Sequence, residues 1–235
     1  MSSASTISAP AACWACGAAL ASSPLLCSSC NKVQPASASD YFQVFGLDRK
    51  LSLDEAALER EFHRLSRRLH PDRFARASAE EQEWSLAATA LLNDAYRTLR
   101  DPLQRTEYLL KLQGLKIGPE ESGKANSGST RGADRQPPAD LLEEVFDLNM
   151  QLEEMRMNRK MGEDDPILQK DLAAARERFE SLLDAVDSDL ATQGTAWDAG
   201  DETARAKATL AMAALLDRRR YLRNLVRDVN EVLGA

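Results

Sequence analysis

Apolar side chains that recur every three or four residues over long stretches most narrow what this chain can fold into. In the stretch opened by Asp165-Pro166, the residues Leu168, Leu172, Phe179, Leu183, Val186 and Leu190 fall on one helical face. Further on, Leu215, Leu222, Val226, Val229 and Leu233 repeat the pattern, as do Leu58, Phe62, Leu65 and Leu69 earlier. Strand-length alternating runs are absent outside a short cysteine-containing segment. The expected fold class is therefore all-α.

Proline, glycine and capping residues divide the pattern. A helix is expected over 53–69, with Asp54 in its first turn. Pro71 ends it, because proline lacks an N–H and pushes the preceding His70 out of helical geometry. A second helix over 79–100 buries Trp84, Ala88, Leu91, Ala95 and Leu99. Asp101-Pro102 then caps a shorter helix ending near Gly114. A short helix over 40–45 offers Tyr41, Phe42 and Phe45 for packing. After a Gly-, Ser- and Pro-rich stretch come three long helices, near 140–161, 166–191 and 202–233, the first with Asp140 as its N-cap. A three-helix bundle is the economical arrangement for them. The expected organisation is a tetracysteine segment at 10–35, a helical unit at 40–115, a solvated linker at 116–138 and the bundle at 139–235.

The chain carries a net charge of −7, which argues against nucleic acid as the main partner. No apolar run approaches the roughly 20 residues needed to span a bilayer, so no membrane partner is expected. The Ser/Ala-rich start lacks the basic-then-apolar layout of an export signal. The expected location is the cytoplasm, or an organelle matrix if a presequence is missing. All four cysteines lie between residues 13 and 30, as Cys13-x2-Cys16 and Cys27-x2-Cys30. In a reducing compartment two such knuckles point four thiolates at one ion. Zinc suits four sulfurs best and iron is its chemical competitor. A closed cage leaves no open coordination position, so its role would be structural. A redox dithiol pair or a disulfide is the alternative reading. Lys32 is the segment's one basic residue, which disfavours a zinc-ribbon DNA reader.

His70-Pro71-Asp72, followed by Arg73, joins two helices in a short polar turn. Arg60, Arg64, Arg67 and Arg68 line the side of the first helix away from its leucines. Such a face suits docking on an acidic partner, although an arginine-rich face can equally be merely solvated. On the first bundle helix, Leu141, Val145, Leu148, Leu152 and Met155 share one face, while Leu142, Phe146, Met150 and Met157 fall roughly opposite. The second stripe is either another packing contact or an exposed docking strip.

Asp40-Tyr41-Phe42-x-x-Phe45-Gly46-Leu47, the His-Pro-Asp turn and Asn93-x-Ala95-Tyr96-x-x-Leu99 occur in order, and residues 40 to about 100 resemble a J-domain. That resemblance implies an activator of a DnaK-type ATPase chaperone rather than an enzyme, with His70, Pro71 and Asp72 carrying the activity. Asp101-Pro102-Leu103-x-Arg105, then Tyr108-Leu109-Leu110-x-Leu112-x-Gly114 and a helical bundle, resemble the co-chaperones of iron–sulfur cluster assembly, the HscB/Jac type. The Cys13 to Cys30 segment is similar to a metal-binding extension of some members. This likeness implies that an HscA-type chaperone and an IscU-type cluster scaffold are the partners. The scaffold would be held by Leu142, Phe146, Asp147 and Met150 with Arg220 and Tyr221. Glu143 and Met150 depart from the family pattern of an apolar and an acidic residue there. The alternatives are a J-protein for other clients, or a metal-sensing or redox protein acting through its cysteines.

Overall fold

In the computed structural model, residues 12–20, 25–35, 40–115 and 139–234 are described; the expected linker at 116–138 lies outside them. Seven α-helices are present among these residues, and the only β pairing is two isolated bridges, Ala12 with Ala19 and Leu26 with Val33. The all-α expectation is borne out. No helix among the described residues is long and apolar enough to cross a membrane. The chain divides into two compact units, Met1–Gln113 and Gly114–Ala235.

In the first unit, α1 (Tyr41–Val44), α2 (Glu55–Leu69), α3 (Ala79–Arg100) and α4 (Pro102–Leu112) gather around α3. Each start is set by a side-chain cap. Asp40 accepts from the Gln43 N–H, Asp54 from Ala57, Ser78 from Glu81, and Asp101 from Leu103 and Gln104. Asp54 is thus the cap of α2 and not a residue of its first turn, because its carboxylate satisfies an N–H that the helix leaves open. Phe42, Leu58, Leu65, Leu69, Ala88, Leu92, Ala95, Leu99, Leu109 and Leu110 form the core. Leu92, not the expected Leu91, is the fully buried member of that pair. Phe62 and Tyr96 stack at 4.1 Å across α2 and α3. Tyr41 and Tyr108 stack at 4.4 Å, and the Tyr108 hydroxyl accepts from the Tyr41 N–H, which ties α4 to α1.

In the second unit, α5 (Leu142–Met161), α6 (Pro166–Ala199) and α7 (Glu202–Leu233) form an antiparallel set. Leu141, Val145, Leu148, Leu152 and Met155 are all buried, as the expected inner stripe of α5 requires. On α7 the large buried apolar positions are Met212, Leu216, Leu222, Leu225, Val229 and Val232, so Leu215, Val226 and Leu233 sit at the edge of the core. Asp140 does not cap α5. Its carboxylate accepts two hydrogen bonds from Arg218 of α7, at 2.9 and 2.8 Å, and Arg218 holds its carboxyl below the usual carboxylate range. Arg219 reaches Asp187 of α6 at 2.6 Å at the same level. At about 1.5 Å per residue α6 and α7 are each roughly 50 Å long and α5 roughly 30 Å. The expected three-helix bundle therefore exists over one part of the unit, and beyond the Asp140 level α6 and α7 continue as a two-helix hairpin. Trp197 fills the far end of it, with Arg205 over its ring at 4.9 Å. The hairpin turns at Gly200, where a Cβ would lie 2.7 Å from the Ala204 Cβ and 2.8 Å from the Ala196 carbonyl oxygen. No other residue type fits there without displacing backbone.

Candidate functional site

Three groups of residues stand out from the packing, two in the first unit and one in the second. The cysteine segment is built from two turns of the same design. The Cys13 N–H donates to the Ala18 carbonyl and the Gly17 N–H to that of Cys13; Cys27, Lys32 and Asn31 repeat the arrangement. Each turn passes through a left-handed residue at the equivalent place, Gly17 at φ 71° and Asn31 at φ 62°. Glycine and asparagine are the residues that adopt that conformation at least cost. The result brings the four Sγ atoms within 4.8 Å of one another, with Cys13 and Cys30 at 3.6 Å and Cys16 and Cys27 at 3.8 Å. Four sulfurs bound to one tetrahedral zinc at about 2.3 Å stand about 3.8 Å apart. A disulfide would need about 2.0 Å, and all four cysteines are free. The donor set fits a metal ion held by four thiolates.

The thiols differ before any ion is considered. Burial pushes the Cys13 thiol up, but hydrogen bonds from the backbone at Cys16 and Ala15 and from the Cys30 and Cys16 side chains bring it down to about 6. At Cys30 the backbone N–H of Lys32 lowers the thiol, yet burial and the three neighbouring cysteines prevail and push it up to about 12. A bound cation would favour the thiolate at every sulfur, so metal binding must displace protons.

The segment is docked on the helical part of its unit. Lys32 Nζ lies 2.7 Å from Glu81 Oε1, and the Glu81 side chain is almost fully buried. Trp14 packs edge-on against Trp84 with ring centroids 5.4 Å apart, and its indole N–H donates to the Val33 carbonyl at 2.8 Å. Arg68 of α2 donates to the Asn31 side-chain oxygen. Sequence reasoning missed Glu81, because an acid in the first turn of α3 is accounted for by the helix dipole alone.

The second group is the turn between α2 and α3. His70 leaves helical geometry at φ −54°, ψ 129°, and Pro71 opens a short 3₁₀ turn, Pro71–Phe74. The Asp72 N–H donates to His70 Nδ1 at 3.3 Å; the two side chains are 56% and 89% exposed. Behind them the Leu69 carbonyl, which Pro71 leaves without a helical partner, accepts from Ser85 Oγ at 2.7 Å and from Thr89 Oγ1 at 3.2 Å. Ser85 is fully buried. Neither was foreseen, since a hydroxyl in a helix usually bonds back to its own helix. The basic face is uneven. Arg64 binds Glu61 on its own helix, Nε to Oε2 at 2.6 Å, and thereby holds the Glu61 carboxyl below its usual range. Arg68 faces the cysteine segment, while Arg60, Arg67 and Arg73 are exposed.

The third group lies on α5. Leu142, Phe146, Met150, Met157 and Met161 are 59%, 65%, 57%, 59% and 64% exposed. At 3.6 residues per turn they occupy an arc of about 100°, centred about 150° from the buried stripe. Asp147 is exposed beside them. The Arg218–Asp140 contact brings this end of α5 to the part of α7 that holds Arg220 and Tyr221. Arg220 is largely buried, with Asp217 at 3.0 Å, and burial raises the Tyr221 hydroxyl above its usual range. Met161 extends the stripe by one turn beyond the sequence-based reading.

The family profile for the DnaJ domain matches residues 40–108. The chain is 38% identical over 113 residues to an iron–sulfur cluster co-chaperone protein HscB homolog of Arabidopsis thaliana, covering 48% of this chain and 44% of that one. It is 36% identical over 155 residues to a co-chaperone protein HscB homolog of Cupriavidus taiwanensis, covering 65% of this chain and 81% of the relative. The match to the plant relative thus spans less than half of that protein. The crystal structure of human co-chaperone protein HscB has a similar fold, with a TM-score of 0.56 at 24% identity over 94% of this chain and 98% of that one.

Proposed function

The chain belongs to the HscB family of J-domain co-chaperones, and from that premise we propose that it stimulates the ATPase of a DnaK/HscA-type chaperone and delivers an IscU-type iron–sulfur scaffold to it. The observation that carries this reading is the presence, in one chain, of two exposed surfaces of different chemistry: the His70-Pro71-Asp72 turn behind its basic helix, and the apolar stripe of α5. Arg60, Arg67 and Arg73 steer an acidic surface of the chaperone toward the turn, with Arg64 and Arg68 contributing less because each already has a carboxylate or amide partner. Leu142, Phe146 and Met150 hold the scaffold by apolar burial, and Asp147, Arg220 and Tyr221 give that contact its orientation. Two weak contacts joined in one molecule raise the effective concentration of scaffold at the chaperone. The chain makes and breaks no covalent bond of its own in this scheme. The test is steady-state ATPase of the cognate chaperone with this protein and scaffold added separately and together. The expected result is stimulation by the pair well above the sum of the two; mere additivity would overturn the delivery scheme.

Cys13, Cys16, Cys27 and Cys30 hold a structural zinc in this reading. The ion fixes the two turns and, through Lys32–Glu81 and Trp14–Trp84, fastens them to α3. Cys16→Ser, or a strong chelator, is therefore expected to release one equivalent of zinc and to lower the melting temperature of the first unit. Losing about 1 kcal/mol of such contacts moves the midpoint of a unit of this size by about 4–8 °C. Metal analysis with a thermal melt followed by tryptophan fluorescence checks this; metal-free protein with an unchanged melt would refute it.

A further inference from the structure

Apart from Met1, the methionines divide sharply. Met155 and Met212 are buried in the bundle core, whereas Met150, Met157 and Met161 are more than half exposed, and all three lie on α5. They fall within about 40° of one another around the helix, in line with Leu142 and Phe146. The stripe therefore begins with a leucine and a phenylalanine and continues for about three turns with thioethers as its only large apolar groups. Leucine would serve the helix as well and bury as much surface. What a thioether adds is a sulfur that hydroperoxides oxidise and that cells can reduce again.

We infer that Met150, Met157 and Met161 form a reversible oxidation site that switches off docking at the α5 stripe. The inference rests on reading that stripe as the scaffold-binding face. The sulfur lone pair attacks one oxygen of a hydroperoxide and the O–O bond breaks. The sulfur gives up two electrons and becomes a sulfoxide, and the departing oxygen leaves as water or an alcohol after taking up a proton. The reverse step, with a dithiol as reductant, yields the thioether, a disulfide and water. A sulfoxide is strongly dipolar, and burying it against an apolar partner without a hydrogen bond is unfavourable. The fold makes little use of these three side chains, each more than half exposed while the buried stripe of α5 faces the other way. Oxidation thus acts on docking alone. Docking in turn shields the sulfurs, because a partner seated on the stripe covers them and keeps peroxide away.

The experiment uses the full chain with its cage loaded with zinc, treated with graded hydrogen peroxide. Peptide mass analysis should find oxygen added at Met150, Met157 and Met161 before Met155 and Met212, with an unchanged thermal melt. Affinity for a purified IscU-type scaffold, measured by calorimetric titration, should fall by about tenfold or more. Methionine sulfoxide reductases acting on both epimers should restore it, and bound scaffold should slow the oxidation. The affinity of the M150L/M157L/M161L variant, measured against its own untreated value, should be unmoved by peroxide. The variant keeps all four cysteines, so a peroxide effect that persists in it would assign the damage to the cage and overturn the inference. Full affinity in protein oxidised at all three positions would overturn it too. If Leu142→Ala/Phe146→Ala leaves scaffold affinity intact, the docking face itself is misassigned; if that pair loses affinity and oxidation does not, only the switch fails.

Discussion

His70→Gln is expected to abolish stimulation of the chaperone ATPase, bringing turnover back to the unstimulated rate, while stability changes by less than about 0.5 kcal/mol. The histidine is more than half exposed, and its local contacts are both with Asp72, whose N–H donates to Nδ1 at 3.3 Å and whose Oδ2 lies 3.5 Å from the same nitrogen. Glutamine keeps a polar group of similar reach but not a ring held by its neighbour. The turn behind it is fixed independently, since Ser85 and Thr89 hold the Leu69 carbonyl and Pro71 starts the 3₁₀ turn. A mutant that folds and still binds scaffold, yet gives no stimulation, is the outcome that assigns the loss to chaperone contact. Retained stimulation by a well-folded mutant would remove His70 from the mechanism. Charge reversal at Arg67 should weaken the same step, and more at low salt because exposed charges are screened. Reversal at Arg64 should cost less, its charge being shared with Glu61.

Why some elements could be read from the sequence and others not follows from what decides each one. The inner stripe of α5 was legible because its apolar residues fall on two separate arcs, and either choice places Leu148 and Leu152 together. On α7 apolar pairs stand side by side, Leu215 with Leu216, Leu225 with Val226 and Val232 with Leu233. Two stripes one residue apart, rotated by about 100°, fit the period equally, and only packing against α6 selects between them. Thr192, Gly194 and Thr195 are weak helix formers, yet α6 runs past the expected end near residue 191. Both threonine hydroxyls bond back to carbonyls one turn earlier, at 3.1 Å, and Trp197 is buried against α7, so the helix runs on to Ala199. Asp140 has the composition of a cap, but a bidentate arginine from a helix 78 positions away claims its carboxylate. Long-range partners of this kind also explain Glu81, Ser85 and Thr89. The cysteine cage was the opposite case, since its spacing alone limits how four sulfurs can meet.

Leu142→Ala/Phe146→Ala is expected to remove most of the scaffold affinity at little cost in stability. Both side chains are about three-fifths exposed on α5, so truncation leaves no cavity and forfeits little buried surface. Apolar anchors of this size often dominate an interface, each worth about 2 kcal/mol or more when fully covered by a partner, so the pair should weaken binding by roughly several hundredfold or more. Leu148→Ala and Leu152→Ala on the buried stripe form the control, because each leaves a hole in the bundle and should cost about 2–5 kcal/mol of stability. The ATPase assay separates the two surfaces further. Stimulation through His70-Pro71-Asp72 should survive in the double mutant, while the synergy with scaffold disappears. Calorimetric titration of scaffold into wild type and mutant, beside thermal melts of both, decides the matter. Unchanged affinity would move the docking surface off this stripe. A large fall in melting temperature would mean that the stripe is covered within the protein itself, and the exposed face of α5 would then be packing and not recognition.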